Sequence, residues 1–257
     1  MSTPEDQYTS NTDGTEKEMN VVGHLSELRN RLIVTAVIFI ILFIIGFLNV
    51  KDIYWFFVND IDLELTAISP TEIIWVYFSM AGLVAIIGTI PILAYQVWAF
   101  ISPALTSREK KVSLSYIPAL FLLFIIGLVF GYLIFIHLIF PFLLSLNEDM
   151  FNIMFTVDRY FTFLMKITLP FAFLFELPLI AMFLTSLGIV TPDFMTKNRK
   201  YAYFVLIVIG VIITPPDFIL QIVVAVPLMV IYEISIYLSK IVYKKKQAKH
   251  EAFMNES

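Results

Sequence analysis

Polar and apolar positions in this chain fall into long blocks. Apolar runs nearly without charge cover residues 32–50, 73–98, 114–144, 161–187, 201–213 and 218–238. A helix needs roughly 20 apolar residues to cross about 30 Å of hydrocarbon, and all but the fifth run reach about that length. Between them lie a polar stretch with an aromatic patch (51–72), a basic loop (102–112), a loop of mixed charge (145–160), a second basic loop (188–200) and a Thr-Pro-Pro-Asp turn (214–217). There is no internal repeat. Unpaired backbone cannot face lipid, so the pattern predicts an all-α polytopic membrane protein, with six transmembrane helices in one bundle over 21–243. A polar, acidic tail over 1–20 is expected to be disordered, and a basic and polar tail follows over 244–257.

The last two helices are expected to be short. Residues 201–213 span about 20 Å as a helix, at 1.5 Å per residue, so either the bilayer thins there or the pair is partly submerged. Proline recurs inside the runs, at Pro91, Pro118, Pro141, Pro170, Pro178 and Pro227. Each removes a backbone donor and tends to bend its helix, which predicts a kinked, concave bundle.

Composition agrees with the pattern. Of 257 residues, 59% are hydrophobic and 15% charged, and the mean hydropathy is +0.86. A soluble domain carries about 45–50% apolar and 25% charged residues. Cysteine is absent, which excludes disulfides, thiolate metal sites and cysteine nucleophiles. The net charge of −4 says little about partners, because many acids sit in the N-terminal tail (Glu5, Asp6, Asp13, Glu16, Glu18). That tail lacks the apolar core of a cleaved signal peptide.

Basic residues orient the bundle. With the N-terminus inside, the cytoplasmic side holds Lys17, Arg29, Arg31, Arg108, Lys110, Lys111, Lys197, Arg199, Lys200, Lys240, Lys244, Lys245, Lys246 and Lys249. The other side holds Lys51 and Arg159. Both termini are therefore expected in the cytoplasm.

Motifs for catalysis are missing. The sequence has no HExxH, no GxGxxG and no phosphate-binding glycine loop, and His24, His137 and His250 are scattered. "SREK" at 107–110 fits S-x-x-K, a pattern short enough to arise by chance. Neither an enzyme nor a bound metal or cofactor is expected, and nothing suggests nucleic-acid binding.

Two cytoplasmic stretches carry more information. In "HLSELRNRL", 24–32, Leu25, Leu28 and Leu32 share a helical face suited to the membrane interface. Glu27 and Arg31 are i, i+4 neighbours, and on spacing alone an intrahelical ion pair on a surface helix is the simpler reading. In "YQVWAFISPALTSREKK", 95–111, Trp98 and Phe100 suit the interface, and Glu109 sits among Arg108, Lys110 and Lys111. The orientation places Glu27 and Glu109 on one face of the membrane.

"HLSELRNRL", "YQVWAFISPALTSREKK", "FLFELP", "RKYAYF" and "TPPD" occur in that order from about residue 21 to 243. Together they resemble the TatC family, the polytopic core of the twin-arginine protein translocase. The resemblance implies a receptor in the cytoplasmic membrane that binds the Arg-Arg signal peptide of folded precursors at its cytoplasmic face. It also implies recruitment of single-span TatA-type (and in some organisms TatB) partners, other TatC copies as neighbours, and transport driven by the proton-motive force without nucleotide. By motif, Glu27 and Glu109 match the family's signal-peptide-binding acids, with His24, Arg29, Trp98 and Phe100 in the same regions. Glu176 matches its intramembrane glutamate, and Asp217 and Gln221 match polar positions at the outer start of the last span. Because residues 201–213 underspan the bilayer, Thr214, Asp217 and Gln221 are expected to meet water or a partner's polar side chain there, with Gln221 at the docking surface for a TatA-type helix. Two positions depart from the family. Ala172 stands where many members have Gly, and Ser79 where many have a basic residue.

Glu176 is the notable acid, since a charge at hydrocarbon depth costs about 2.5–3.5 kcal/mol on insertion scales. It is expected on the concave side of the bundle. Lys166, ten residues away along the chain, is expected to reach outward. The competing function is a proton- or ion-coupled secondary transporter using Glu176 and Lys166. Such carriers usually show repeated halves, which this chain lacks.

Overall fold

The computed structural model describes residues 12–59, 65–104, 110, 113–145, 154–214 and 217–256. Their secondary structure is helical, apart from an isolated parallel bridge between Thr66 and Thr156. Helix α1, Thr12–Leu48, begins inside the polar stretch expected to be disordered. Its apolar part, Leu25–Leu48, is long enough to cross a membrane. A short helix α2, Val50–Val58, occupies part of the region read as a polar loop. Its aromatic patch explains this: Tyr54 and Phe57 pack their rings on Phe161, with centroids 5.7 and 6.3 Å apart.

Helix α3, Pro70–Ile101, starts at Ser69, whose hydroxyl accepts from the amide of Thr71 at 3.3 Å. It packs mainly against α1. Phe43 and Phe47 of α1 both meet Phe78, with centroids 5.6 and 5.9 Å apart. Helix α4, Tyr116–Ile134, continues through a π-helical turn, Phe135–Ile139, into α5, Phe140–Ser145. Pro141 lacks the N–H that would bond the carbonyl of His137, which accounts for irregular backbone at that point.

Helix α6, Val157–Leu174, and α7, Leu177–Leu187, form one membrane-crossing unit broken at Phe175–Glu176. The break follows from Pro178, which cannot donate to the carbonyl of Leu174. The amide of Glu176 turns back to Phe173 at 3.1 Å instead. Helix α7 ends at Gly188, whose φ of 81° is a conformation that side chains with a Cβ rarely adopt. After α8, Pro192–Lys197, come α9, Arg199–Ile213, and the long α10, Phe218–Glu256, which continues as helix through the basic C-terminal stretch.

Five of these units are long and apolar enough to cross a membrane: Leu25–Leu48, Pro70–Ile101, Tyr116–Ser145, Val157–Leu187 and Phe218–Ala248. The protein is therefore an all-α, multi-pass membrane protein. Helix α9 has 15 residues, about 22 Å, and falls short of that length, so five rather than six of the expected spans qualify by length.

The centre of the bundle is aromatic. Phe135, Tyr160, Phe161 and Phe171 are all at most 2% exposed, and ring pairs such as Tyr160–Phe161 meet edge to face with centroids 5.1 Å apart. Helices α4 and α6 approach closest at Gly127 and Gly131. A Cβ on Gly127 would lie 2.8 Å from the Cα of Ala172 and 2.8 Å from the Cβ of Phe175. The small residue needed for this approach is thus on α4, opposite Ala172. Between α7 and α10, the buried hydroxyls of Thr185 and Ser239 share a hydrogen bond of 2.7 Å.

Candidate functional site

Glu27 lies on α1 two residues after the start of the membrane-crossing part. The guanidinium of Arg31, one turn on, donates to Oε1 of Glu27 from Nε at 3.1 Å and from Nη2 at 2.5 Å. The intrahelical pair expected from the spacing is therefore formed. It is more than local, however. Nη1 of Arg31 donates to Oε1 of Gln96 at 3.2 Å, and Nη2 reaches the carbonyl of Ala99 at 3.3 Å. Arg31 thus ties the carboxylate of α1 to the last turns of α3, where Trp98 and Phe100 stand.

Arg29 is exposed on the same helix. His24 falls within α1, but its side chain is outside the described residues, as is Glu109. The ends of the loop that carries Glu109 are described. The indole N–H of Trp98 donates to the hydroxyl of Ser113 at 3.0 Å, and that hydroxyl donates to the carbonyl of Lys110 at 3.3 Å. Ser113 is 5% exposed. Ser113 and Lys110 are therefore joined to Trp98, which precedes the Ala99 whose carbonyl Arg31 reaches.

Trp98 also belongs to a second feature. A groove of about 350 Å³ runs between the last turns of α3, the first turns of α4 and the broken α6–α7 unit, with Trp98 and Ser113 among its lining and Glu176 in its wall. Leu93, Val97, Phe173 and Ile180, which also line it, are 40–49% exposed, so the groove is open at the surface of the bundle. Glu176 is 6% exposed, and both carboxylate oxygens are buried without a hydrogen-bond partner among the described residues. Helix α7 starts directly after it, so the break that Pro178 imposes fixes where the carboxylate sits. Lys166 is exposed and does not line this groove. The two ionisable groups named for a coupled carrier are not brought together.

At the other end of the bundle, Asp217 caps α10, with Oδ1 accepting from the amides of Ile219 at 2.9 Å and Leu220 at 3.0 Å. Thr214 is 7% exposed, and its hydroxyl donates to the carbonyl of Gly210 at 2.9 Å. Gln221, one turn into α10, is half-buried. The three residues thus gather at the turn between α9 and α10, two of them occupied in ending and starting helices.

A polar cluster went unread in the sequence. Arg199 Nη2 donates to Oε2 of Glu233 at 2.7 Å, and the hydroxyl of Tyr203 donates to Oε1 of the same residue. It joins α9 to α10. Arg199 and Tyr203 are in the quoted run "RKYAYF", but Glu233 lies 30 residues further on in an apolar run, and no local spacing links them. Gln96 and Ser113 were missed for the same reason.

The sequence profile of TatC, described as the Sec-independent protein translocase protein, matches residues 23–227. The chain belongs to the TatC family. It is 48% identical over 237 residues to the Sec-independent protein translocase protein TatCd of Bacillus subtilis (strain 168), covering 92% of this chain and 98% of that protein. TatCy of the same organism is 43% identical over 235 residues, 90% of this chain and 92% of the relative. TatC of Aquifex aeolicus is 35% identical over 236 residues, 89% and 98% of the two chains. A crystal structure titled as the twin arginine translocase receptor TatC superposes with a TM-score of 0.75 at 35% identity, covering 85% of this chain and 99% of that one. The protein is thus a membrane component of a protein translocase and not an enzyme.

Proposed function

We propose that this chain is the core receptor subunit of a twin-arginine translocase in the cytoplasmic membrane, with both termini on the cytoplasmic side. In this reading the domain over 21–243 carries the receptor function, between an acidic tail (1–20) and a basic one (244–257). Glu27 and Glu109 hold the two guanidiniums of an Arg-Arg signal peptide, with His24, Arg29, Trp98 and Phe100 around them. The groove walled by Glu176 takes the apolar part of the peptide or a partner's helix. Thr214, Asp217 and Gln221 form the end where a TatA-type single-span subunit docks, with Gln221 as the contacting side chain. Other copies of the chain, and TatB where one exists, complete the assembly, and the proton-motive force drives export of the folded precursor.

The observation that carries the reading is the clasp of Arg31 on Glu27, Gln96 and Ala99. It supports the reading, since the Oε1 of Glu27 already accepts from a guanidinium there. The test is capture of the detergent-solubilised protein on an immobilised twin-arginine peptide and on its twin-lysine version. The twin-arginine peptide should retain the protein, and Glu27→Ala and Glu109→Ala should each weaken binding by about 1.5–3 kcal/mol, the range for a hydrogen bond to a charged group. Equal retention by both peptides, or an unaffected double variant, would overturn it.

A further inference from the structure

Glu27 already holds a guanidinium, and that guanidinium comes from its own chain. Arg31 makes two contacts to Oε1 of Glu27, at 3.1 and 2.5 Å, and two to α3, at 3.2 Å to Gln96 and 3.3 Å to the carbonyl of Ala99. The side chains of Arg31 and Glu27 keep 25% and 37% of their exposure, so an incoming cation can reach the pair. A peptide guanidinium is the same chemical group, with the same planar fork, and competes for the same carboxylate oxygen.

We propose that Arg31 is an internal ligand of Glu27 that sets the affinity of this face, and that a peptide guanidinium binds by exchanging with it. The inference rests on the reading of Glu27 as a peptide-binding residue. Two features favour exchange over a permanent pair. Ion pairs with this much exposure are weak. Arg31 also has a second anchorage on Gln96 and the Ala99 carbonyl, so its displacement from Glu27 does not leave an isolated charge without partners. While Arg31 occupies Glu27, the site is competent for only a fraction of the time, and apparent affinity falls by that fraction. The factor is common to every ligand that must displace Arg31, so it lowers affinity without altering preference between ligands.

This gives the proposal an unusual sign: removing a residue from the site tightens binding. The experiment measures the dissociation constants of fluorescent twin-arginine and twin-lysine peptides for the full-length protein in nanodiscs, comparing the unaltered chain with Arg31→Gln, Arg31→Lys and Glu27→Ala. Arg31→Gln should bind both peptides more tightly by one common factor, about three- to tenfold for loss of a single charge-assisted competitor. Arg31→Lys keeps the charge but not the fork, and should tighten both in the same direction by less. That arm separates exchange from a simple change of surface charge, and it carries the test if the Gln variant fails to fold. Weaker or unchanged binding in Arg31→Lys would overturn the proposal. Unchanged twin-arginine binding by Glu27→Ala would instead remove the reading on which it rests.

Discussion

Trp98 and Ser113 stand 15 positions apart, and a hydrogen bond of 3.0 Å from the indole N–H to the hydroxyl joins them across the base of the loop that carries Glu109. Ser113 passes the bond on to the carbonyl of Lys110. Trp98 also lines the groove that Glu176 walls. One side chain therefore both bonds Ser113, at the end of that loop, and lines the groove.

Trp98→Phe keeps a ring in the groove and removes the donor. Loss of one such bond should lower stability by about 0.5–1.5 kcal/mol, readable as a modest fall in thermal midpoint in detergent. Because the loop is tied through this bond, twin-arginine peptide binding should fall by more than the stability change explains. Binding equal to that of the unaltered chain would show that the loop needs no such tie.

The contact of α4 with α6 yields a packing prediction. A methyl on Gly127 would come within 2.9 Å of the carbonyl oxygen of Phe171, as well as meeting Ala172 and Phe175. These are largely backbone atoms, so the helices must separate. Gly127→Ala should cost about 1–3 kcal/mol, the range for overpacking a core, and Gly127→Leu should not yield a folded protein. Gly23, an exposed residue inside α1 that meets nothing within 4 Å, supplies the control: Gly23→Ala should keep or slightly raise the thermal midpoint, never lower it.

Much of this architecture was legible as apolar blocks, since hydrocarbon thickness imposes a minimum length and backbone pairing imposes helices. A bend near Glu176 was legible from Pro178, but not that the helix would stop and restart there, since Pro91, Pro170 and Pro227 lie inside continuous helices. What escaped was either amphipathic on a short scale or distant in sequence. Helix α2 hid in a stretch whose aromatic residues only make sense against Phe161. The spacing Gly127–Gly131 is a small-residue pattern visible in the chain, yet its partner surface on Ala172 and Thr168 is set by the fold. Glu27 with Arg31 was legible as a pair, while the bonds to Gln96 and Ala99 depend on how α1 crosses α3. For Thr214 and Asp217 the motif marked the place, and the geometry shows each bonded to backbone there.

Orientation is testable directly. The basic asymmetry predicts that the stretch 145–158 lies outside and 104–112 inside. In an otherwise cysteine-free chain, a cysteine at position 148 should react with an impermeant maleimide in intact cells, and one at position 107 only after lysis. Reversed labelling would remove the shared cytoplasmic face of Glu27 and Glu109.

Asp217 separates capping from docking. Asp217→Ala leaves two amides of α10 without their acceptor and should cost about 0.5–2 kcal/mol of stability. Asp217→Asn and Asp217→Ser retain a capping oxygen and should recover most of it. If this end also receives a TatA-type helix, a photocrosslinker at position 221 should capture that partner in both Asn and Ser variants. Capture of lipid alone, in a complex shown by co-purification to be assembled, would count against docking at Gln221.

Glu176 gives the last test. Its carboxylate is buried in the wall of a groove open at the bundle surface, with both oxygens lacking a partner among the described residues. Leaving a buried polar group unsatisfied costs about 1–3 kcal/mol, so apolar replacement should relieve that cost and stabilise the isolated subunit. Glu176→Leu is therefore expected to raise the thermal midpoint, and Glu176→Gln to change it less. Transport should order the other way. An incoming helix or peptide segment that hydrogen-bonds this carboxylate finds a similar partner in Gln and none in Leu, so export of a twin-arginine reporter should survive Glu176→Gln better than Glu176→Leu. A Leu variant that is both more stable and fully active would leave the carboxylate without a role in transport. One that is more stable and inactive would tie the unsatisfied group to the passage of a partner through the groove.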